Sequence, residues 1–136
     1  MLQETLGDGV YVVQSLEILL SGWIFQRLDA FGRSGGFPVG WNTHCFKLLS
    51  SWCISSGLCI ENLSKDLDNT LTLLNVYVPT HNRRPFWEYF FHNSFLNRPS
   101  LIIGGDLNVF MGASESRGDR ANNDSLTDFF YECLTI

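Results

Sequence analysis

Charged side chains are scarce. Asp, Glu, Lys and Arg make up 17% of the 136 residues, against about 25% in an average soluble domain. With hydrophobic residues at 45% and aromatics at 14%, this excludes an intrinsically disordered chain, which needs low hydrophobicity and high net charge. Positive charge is the scarcer sign: nine Lys and Arg against fourteen Asp and Glu leave a net charge of −5. A broad basic surface for non-specific nucleic-acid binding is thereby excluded, whereas an acidic metal site that works on nucleic acid is not. Long apolar runs are missing too. The most apolar stretch, residues 10–28, is broken by Gln14, Ser15, Glu17, Gln26 and Arg27, which a membrane-spanning helix tolerates poorly. Met1-Leu2-Gln3-Glu4-Thr5 has neither the basic segment nor the apolar core of a secretory signal. A soluble, intracellular protein with no membrane partner is the expectation. Cys45, Cys53, Cys59 and Cys133 lack the paired spacing of a zinc site and are too few for a disulfide framework. Buried, reduced thiols are expected. The sequons at Asn62 and Asn123 and the tripeptide Arg117-Gly118-Asp119 carry no functional weight.

What is present alternates between helical and strand patterns. Val12, Val13, Leu16, Leu19, Leu20 and Trp23 make an amphipathic helical stripe, opposite Gln14, Ser15 and Glu17. Residues 23–28 and 37–41 flank Gly32-Arg33-Ser34-Gly35-Gly36 as two strands of a hairpin. Residues 46–49 and 52–63 continue as strands, and residues 64–69 form a polar turn. Residues 71–78 are apolar on both faces, as an interior strand is, and Pro79 ends it. Pro85 in a first turn, with Phe86, Trp87, Phe90, Phe91 and Phe95 following, predicts a helix over residues 83–96. Ser100-Leu101-Ile102-Ile103-Gly104 reads as a buried strand running into Gly105-Asp106-Leu107-Asn108, and residues 112–124 as a surface loop. Ser125 three residues before Asp128 resembles a capping box, opening a helix with Leu126, Phe129, Phe130, Cys133 and Leu134 on one side. The expected fold class is a layered α/β or α+β sheet.

Few residues offer chemistry. As i and i+2 of a strand, Asp106 and Asn108 would project together from its carboxyl end while Leu107 points to the core, and that end is where open sheets place their sites. There a carboxylate could orient a water and an amide could hold an oxyanion. A plain Gly-Asp turn explains the same residues. Glu4 ends a very short apolar segment and by itself is an exposed acid. Tyr77, two residues after Asn75 on one face, presents a phenol at the same strand end, or else is a core aromatic with a surface hydroxyl. Arg83 and Arg84 oppose the helix dipole at a helix start, a misfit that facing phosphate would resolve and that two solvated arginines would also explain. His44, His81 and His92 show no ligand spacing.

Taken in order, Leu2-Gln3-Glu4-Thr5, Gly32-Arg33-Ser34-Gly35-Gly36, Asn75-Val76-Tyr77-Val78-Pro79, Arg83-Arg84-Pro85-Phe86-Trp87 and Gly104-Gly105-Asp106-Leu107-Asn108 resemble the endonuclease/exonuclease/phosphatase superfamily. More narrowly, they resemble the endonuclease domain of plant long interspersed (non-LTR) retrotransposons. The resemblance runs from Leu2 to about Leu134. It implies a partial four-layered α/β sandwich, residues 1–136 forming a single incomplete domain, and a hydrolase that nicks DNA with magnesium, or manganese in its place. Under it, Glu4 would ligate the metal, Asp106 would orient or deprotonate the attacking water, Asn108 would contact the scissile phosphate, Tyr77 would sit against the phosphate or leaving group, and Arg83 would hold the DNA backbone. A nuclear location is implied by the resemblance alone, since no basic localisation cluster is visible. The family's leading Asn-bearing strand and its closing Asp and Ser-Asp-His segments are not in this sequence, and Thr80 stands where many relatives have Asn. The expectation is therefore a weak or inactive nuclease domain, with a non-catalytic retrotransposon remnant and a superfamily phosphatase as alternatives.

Overall fold

A computed structural model of the chain describes residues 9–28, 36–54, 56–110 and 124–134. Among them are three α-helices and six strands, a mixed α/β content. The chain divides into two compact units, Met1–Tyr77 with Ser94–Asp106, and Val78–Asn93 with Leu107–Ile136.

The first unit opens with helix α1 (Gly9–Leu19). Val12, Val13 and Leu16 are half-buried, but the expected stripe ends there, since Leu19 and Leu20 are exposed. The helix stops because Gly22 takes a left-handed φ of 81°, where a side chain would be strained and a Cβ would lie 3.2 Å from the His44 ring. Strands β1 (Trp23–Leu28) and β2 (Phe37–Asn42) pair antiparallel as the sequence suggests. Gly40 faces Phe25 across this pair, and the aromatic ring occupies the space a Cβ would need, 2.3 Å away. The turn motif between the two strands, residues 32–35, lies outside the described residues.

The larger sheet runs β3 (Phe46–Ile54), β4 (Gly57–Ser64), β5 (Thr70–Tyr77) and β6 (Leu101–Asp106), in that spatial order. The first two pairings are antiparallel and β5–β6 is parallel. The break expected near Ser50 and Ser51 is instead a register shift between Leu48 and Ser50, and β3 continues to Ile54. Two serines do not end a strand that a bulge can carry past them. Val39 and Trp41 of β2 pack on Leu58 and Ile60 of β4, with Leu28, Phe46 and Leu48 around them. Strand β5 is interior as expected, with Leu74 and Val76 fully buried. Outside this core, Arg98 stacks its guanidinium 4.6 Å over Trp52 and bonds Glu61 at 2.9 Å, and Glu61 also accepts from Ser50.

The second unit is an aromatic core between α2 (Arg83–Phe91) and α3 (Thr127–Leu134). Trp87 meets Phe130 edge-on at 4.7 Å between centroids, and Phe91 meets Phe130 at 5.7 Å. The helix expected over residues 83–96 ends at Phe91, and a short 3-10 turn, Ser94–Asn97, follows. His92 closes α2, its backbone N–H bonded to Glu88, so the aromatic pattern overstates the helix by about a turn. The cap of α3 also differs. Asp124, not Ser125, accepts the Leu126 N–H at 2.9 Å, while Ser125 is exposed. The expected loop lies almost wholly outside the described residues, as do the side chains of Phe95 and Leu134.

Among the described residues, no helix is long and apolar enough to cross a membrane. All four cysteines are free. Only Cys59 is buried, and burial pushes its thiol up to about 11. Cys53, on the half-exposed strand β3, is exposed, and the other two are half-buried.

Candidate active site

The carboxyl ends of the two parallel strands bring two candidate residues together. Tyr77 is the last residue of β5 and Asp106 the last of β6, and they are register partners. Partners in a ladder share a face, so the phenol and the carboxylate belong to the same side of the sheet. Two residues back on that side, Asn75 is fully buried opposite Gly104. Local sequence explains why the ladder reaches this far. Tyr77 donates its backbone N–H to Ser56 at 2.8 Å, extending the tie to the β3–β4 turn. Gly105 has a φ of 125°, open to glycine alone without strain, so the strand reaches Asp106 through a backbone conformation its neighbours could not adopt. Asp106 is exposed and Tyr77 half-buried.

Asn108 does not continue this alternation. Strand β6 stops at Asp106, and Asn108 has a left-handed φ of 46°. The expectation that Asp106 and Asn108 project together as i and i+2 of one strand is therefore corrected. Within the second unit, the Asn108 carboxamide donates to the Val78 carbonyl, and Arg83 donates to the Asn108 carbonyl. A backbone turn of this kind is tolerated by Asn better than by most residues.

Arg83 has a second, stronger partner. Its guanidinium grips the Asp124 carboxylate with two hydrogen bonds, of 2.6 and 3.1 Å. The side chain of Asp124 is 1% exposed and that of Arg83 25%. Burial alone would raise the Asp124 carboxyl, but the Arg83 hydrogen bond and charge and the Leu126 N–H outweigh it and hold the carboxyl below its usual range. The misfit of a cation at a helix start is met within the second unit by an internal carboxylate, and a quarter of the Arg83 side chain stays exposed beside it. Arg84 bonds Glu88 one turn on and lies 5.5 Å from the centre of the Phe129 ring. Nothing local in the sequence pairs Arg83 with a residue 41 positions away; the signal available was the electrostatic misfit itself.

Glu4 lies outside the described residues. Among those described, no group of three or more His, Cys, Asp or Glu could hold a metal ion. At the strand ends the hard-oxygen donor is a single carboxylate, Asp106. This fits magnesium in kind, since that ion is commonly held by one or two carboxylates together with substrate phosphate oxygens. No protein-family model matches the chain, and no curated protein matches it.

Proposed function

We propose that the chain is a DNA phosphodiesterase domain of the endonuclease/exonuclease/phosphatase kind, a partial four-layered α/β sandwich whose reaction uses magnesium. The observation that carries this reading is the register pairing of Tyr77 with Asp106 at the carboxyl ends of parallel strands, where open α/β sheets place their ligands. The five ordered motifs supply the class of reaction. A bound magnesium ion, with Glu4 as the carboxylate to hold it, would neutralise charge on the phosphate.

The residues do the rest. Asp106 accepts a hydrogen bond from the attacking water and takes its proton as the water oxygen bonds to phosphorus and the bond from phosphorus to the leaving sugar oxygen breaks. The Tyr77 hydroxyl donates to a phosphate oxygen or to the departing oxygen. Asn108 is assigned the scissile phosphate, its carboxamide steadied by the Val78 carbonyl. Arg83, oriented by its bonds to Asn108 and Asp124, holds the DNA backbone with the quarter of its side chain that stays exposed.

Nicking of supercoiled plasmid by the purified chain tests this. The expected result is nicking with magnesium that chelation abolishes, that Asp106→Ala lowers at least about 100-fold and that Tyr77→Phe lowers less. Activity in the wild type no higher than in Asp106→Ala would mean that the motifs mark ancestry and that the chain is a non-catalytic remnant.

A further inference from the structure

The whole sequence contains two lysines, Lys47 and Lys65, and both line one groove of the first unit. The groove has a volume of about 470 Å³ and is walled by Phe25, Trp41 and Phe46, within the size range of about 300–1,000 Å³ usual for small-molecule sites. None of the described residues lining it is acidic, in a chain whose net charge is −5. Asp66 and Asp68 follow Lys65 in the same turn and are exposed, but they are not part of the wall.

Lys65 is held in place twice. Its backbone N–H donates to the Cys45 carbonyl at 2.8 Å and its Nζ donates to the Thr43 carbonyl at 2.6 Å. An ammonium has three donors, so this bond fixes the charge and leaves others to point at a ligand. A fixed lysine loses less side-chain entropy on binding than a free one. Trp41 and Phe46 also wall a neighbouring apolar cavity of about 200 Å³, with Trp23, Leu71 and Leu73. Aromatic walls beside two cations, with no carboxylate in the wall itself, suit a ligand that joins a planar ring to a phosphate. Aromatic rings accept any base on their faces, and lysines meet phosphate as point charges.

We infer that this groove is a nucleotide-binding site, with the base against Phe25 and Phe46 and the phosphate at Lys47 and Lys65. It is distinct from the strand ends at Tyr77 and Asp106. Lys65 follows the end of β4 and precedes the start of β5, whereas Tyr77 ends β5; the length of that strand, roughly 20 Å at about 3.3 Å per residue, separates them. The inference does not rest on the nuclease reading. The same base-plus-phosphate chemistry is offered by a free mononucleotide and by a single DNA strand.

Tryptophan fluorescence of the full chain, titrated without magnesium, tests it. Adenosine monophosphate is expected to change the emission saturably and to bind more tightly than adenosine. Lys47→Gln with Lys65→Gln should weaken the monophosphate about tenfold and leave adenosine unchanged, while Lys47→Arg with Lys65→Arg should bind as the wild type does. Both lysines are exposed, so circular dichroism of these variants should match the parent. Asp106→Ala should bind normally, which separates this site from the strand ends. An eight-residue oligothymidylate that binds at least about tenfold tighter, with a steep salt dependence, identifies the ligand as a strand, and equal affinity identifies the mononucleotide. No saturable change, or a double Gln variant that binds the monophosphate as tightly as wild type, overturns the inference.

Discussion

Arg83 stands where a helix dipole disfavours a cation, and the cost is met by Asp124, a carboxylate with 1% of its side chain exposed. Breaking one partner of a buried pair strands the other charge, so Arg83→Ala should destabilise the second unit by about 3 kcal/mol, read as a shift in urea midpoint. The pair also makes a pH prediction. Because Asp124 has its pKa lowered in the folded state, its contribution is fully present above the unfolded carboxylate value of about 3.9 and is lost as pH falls below that toward the folded value. Acid titration of near-ultraviolet circular dichroism should show wild type losing stability below about pH 4, with Asp124→Asn flatter in that window. Equal slopes would remove the ion pair as the cause. Asn62 poses the opposite case. Its side chain is fully buried, and neither Oδ1 nor Nδ2 has a hydrogen-bond partner among the described residues. An unsatisfied buried amide costs about 1–3 kcal/mol, so Asn62→Leu, of similar volume, should raise the urea midpoint; a lower midpoint would show that the amide is satisfied in solution.

At the scale of elements, what could be read in the sequence was what local pattern determines. The hairpin of β1 and β2, the interior character of β5 and the aromatic face of α2 all follow from alternation or helical spacing within a few residues. The misreadings have causes that periodicity does not carry. Continuous β3 depends on a bulge that two serines do not reveal, and the end of α2 at Phe91 depends on a cap that aromatic spacing ignores. Of the candidate site, the pairing of Tyr77 with Asp106 was legible as two strand ends, but their register was not. The turn at Asn108 was hidden because φ at one residue decides it. Close approach of strands gives a test of its own. A Cβ on Gly57 would lie 2.6 Å from the Asn75 carbonyl oxygen, a backbone atom that cannot step aside. Gly57→Ala should therefore cost about 1–3 kcal/mol through displaced strands, seen as a lower thermal midpoint and faster amide exchange along β4 and β5. An unchanged midpoint would mean that the β4–β5 spacing is looser than 2.6 Å implies.

For the whole molecule, the two compact units are interleaved in sequence, since the chain leaves the first at Val78, returns at Ser94 and leaves again at Leu107. Each has its own core, Val39, Trp41, Leu58 and Ile60 in one and the Trp87, Phe90 and Phe130 cluster in the other. A core built from its own residues carries its own share of the folding free energy, so cooperative opening should follow units and not position along the chain. Phe130→Ala removes a ring that is 5% exposed and should cost about 3–5 kcal/mol. Hydrogen exchange read by mass spectrometry should then show faster exchange in residues 78–93 and 124–134 together, although a long stretch of chain separates them, while residues 37–64 keep the parent rate. Gly57→Ala should produce the converse pattern. If either substitution accelerates both sets equally, the chain unfolds as one cooperative body, and the division into units describes contacts without describing stability.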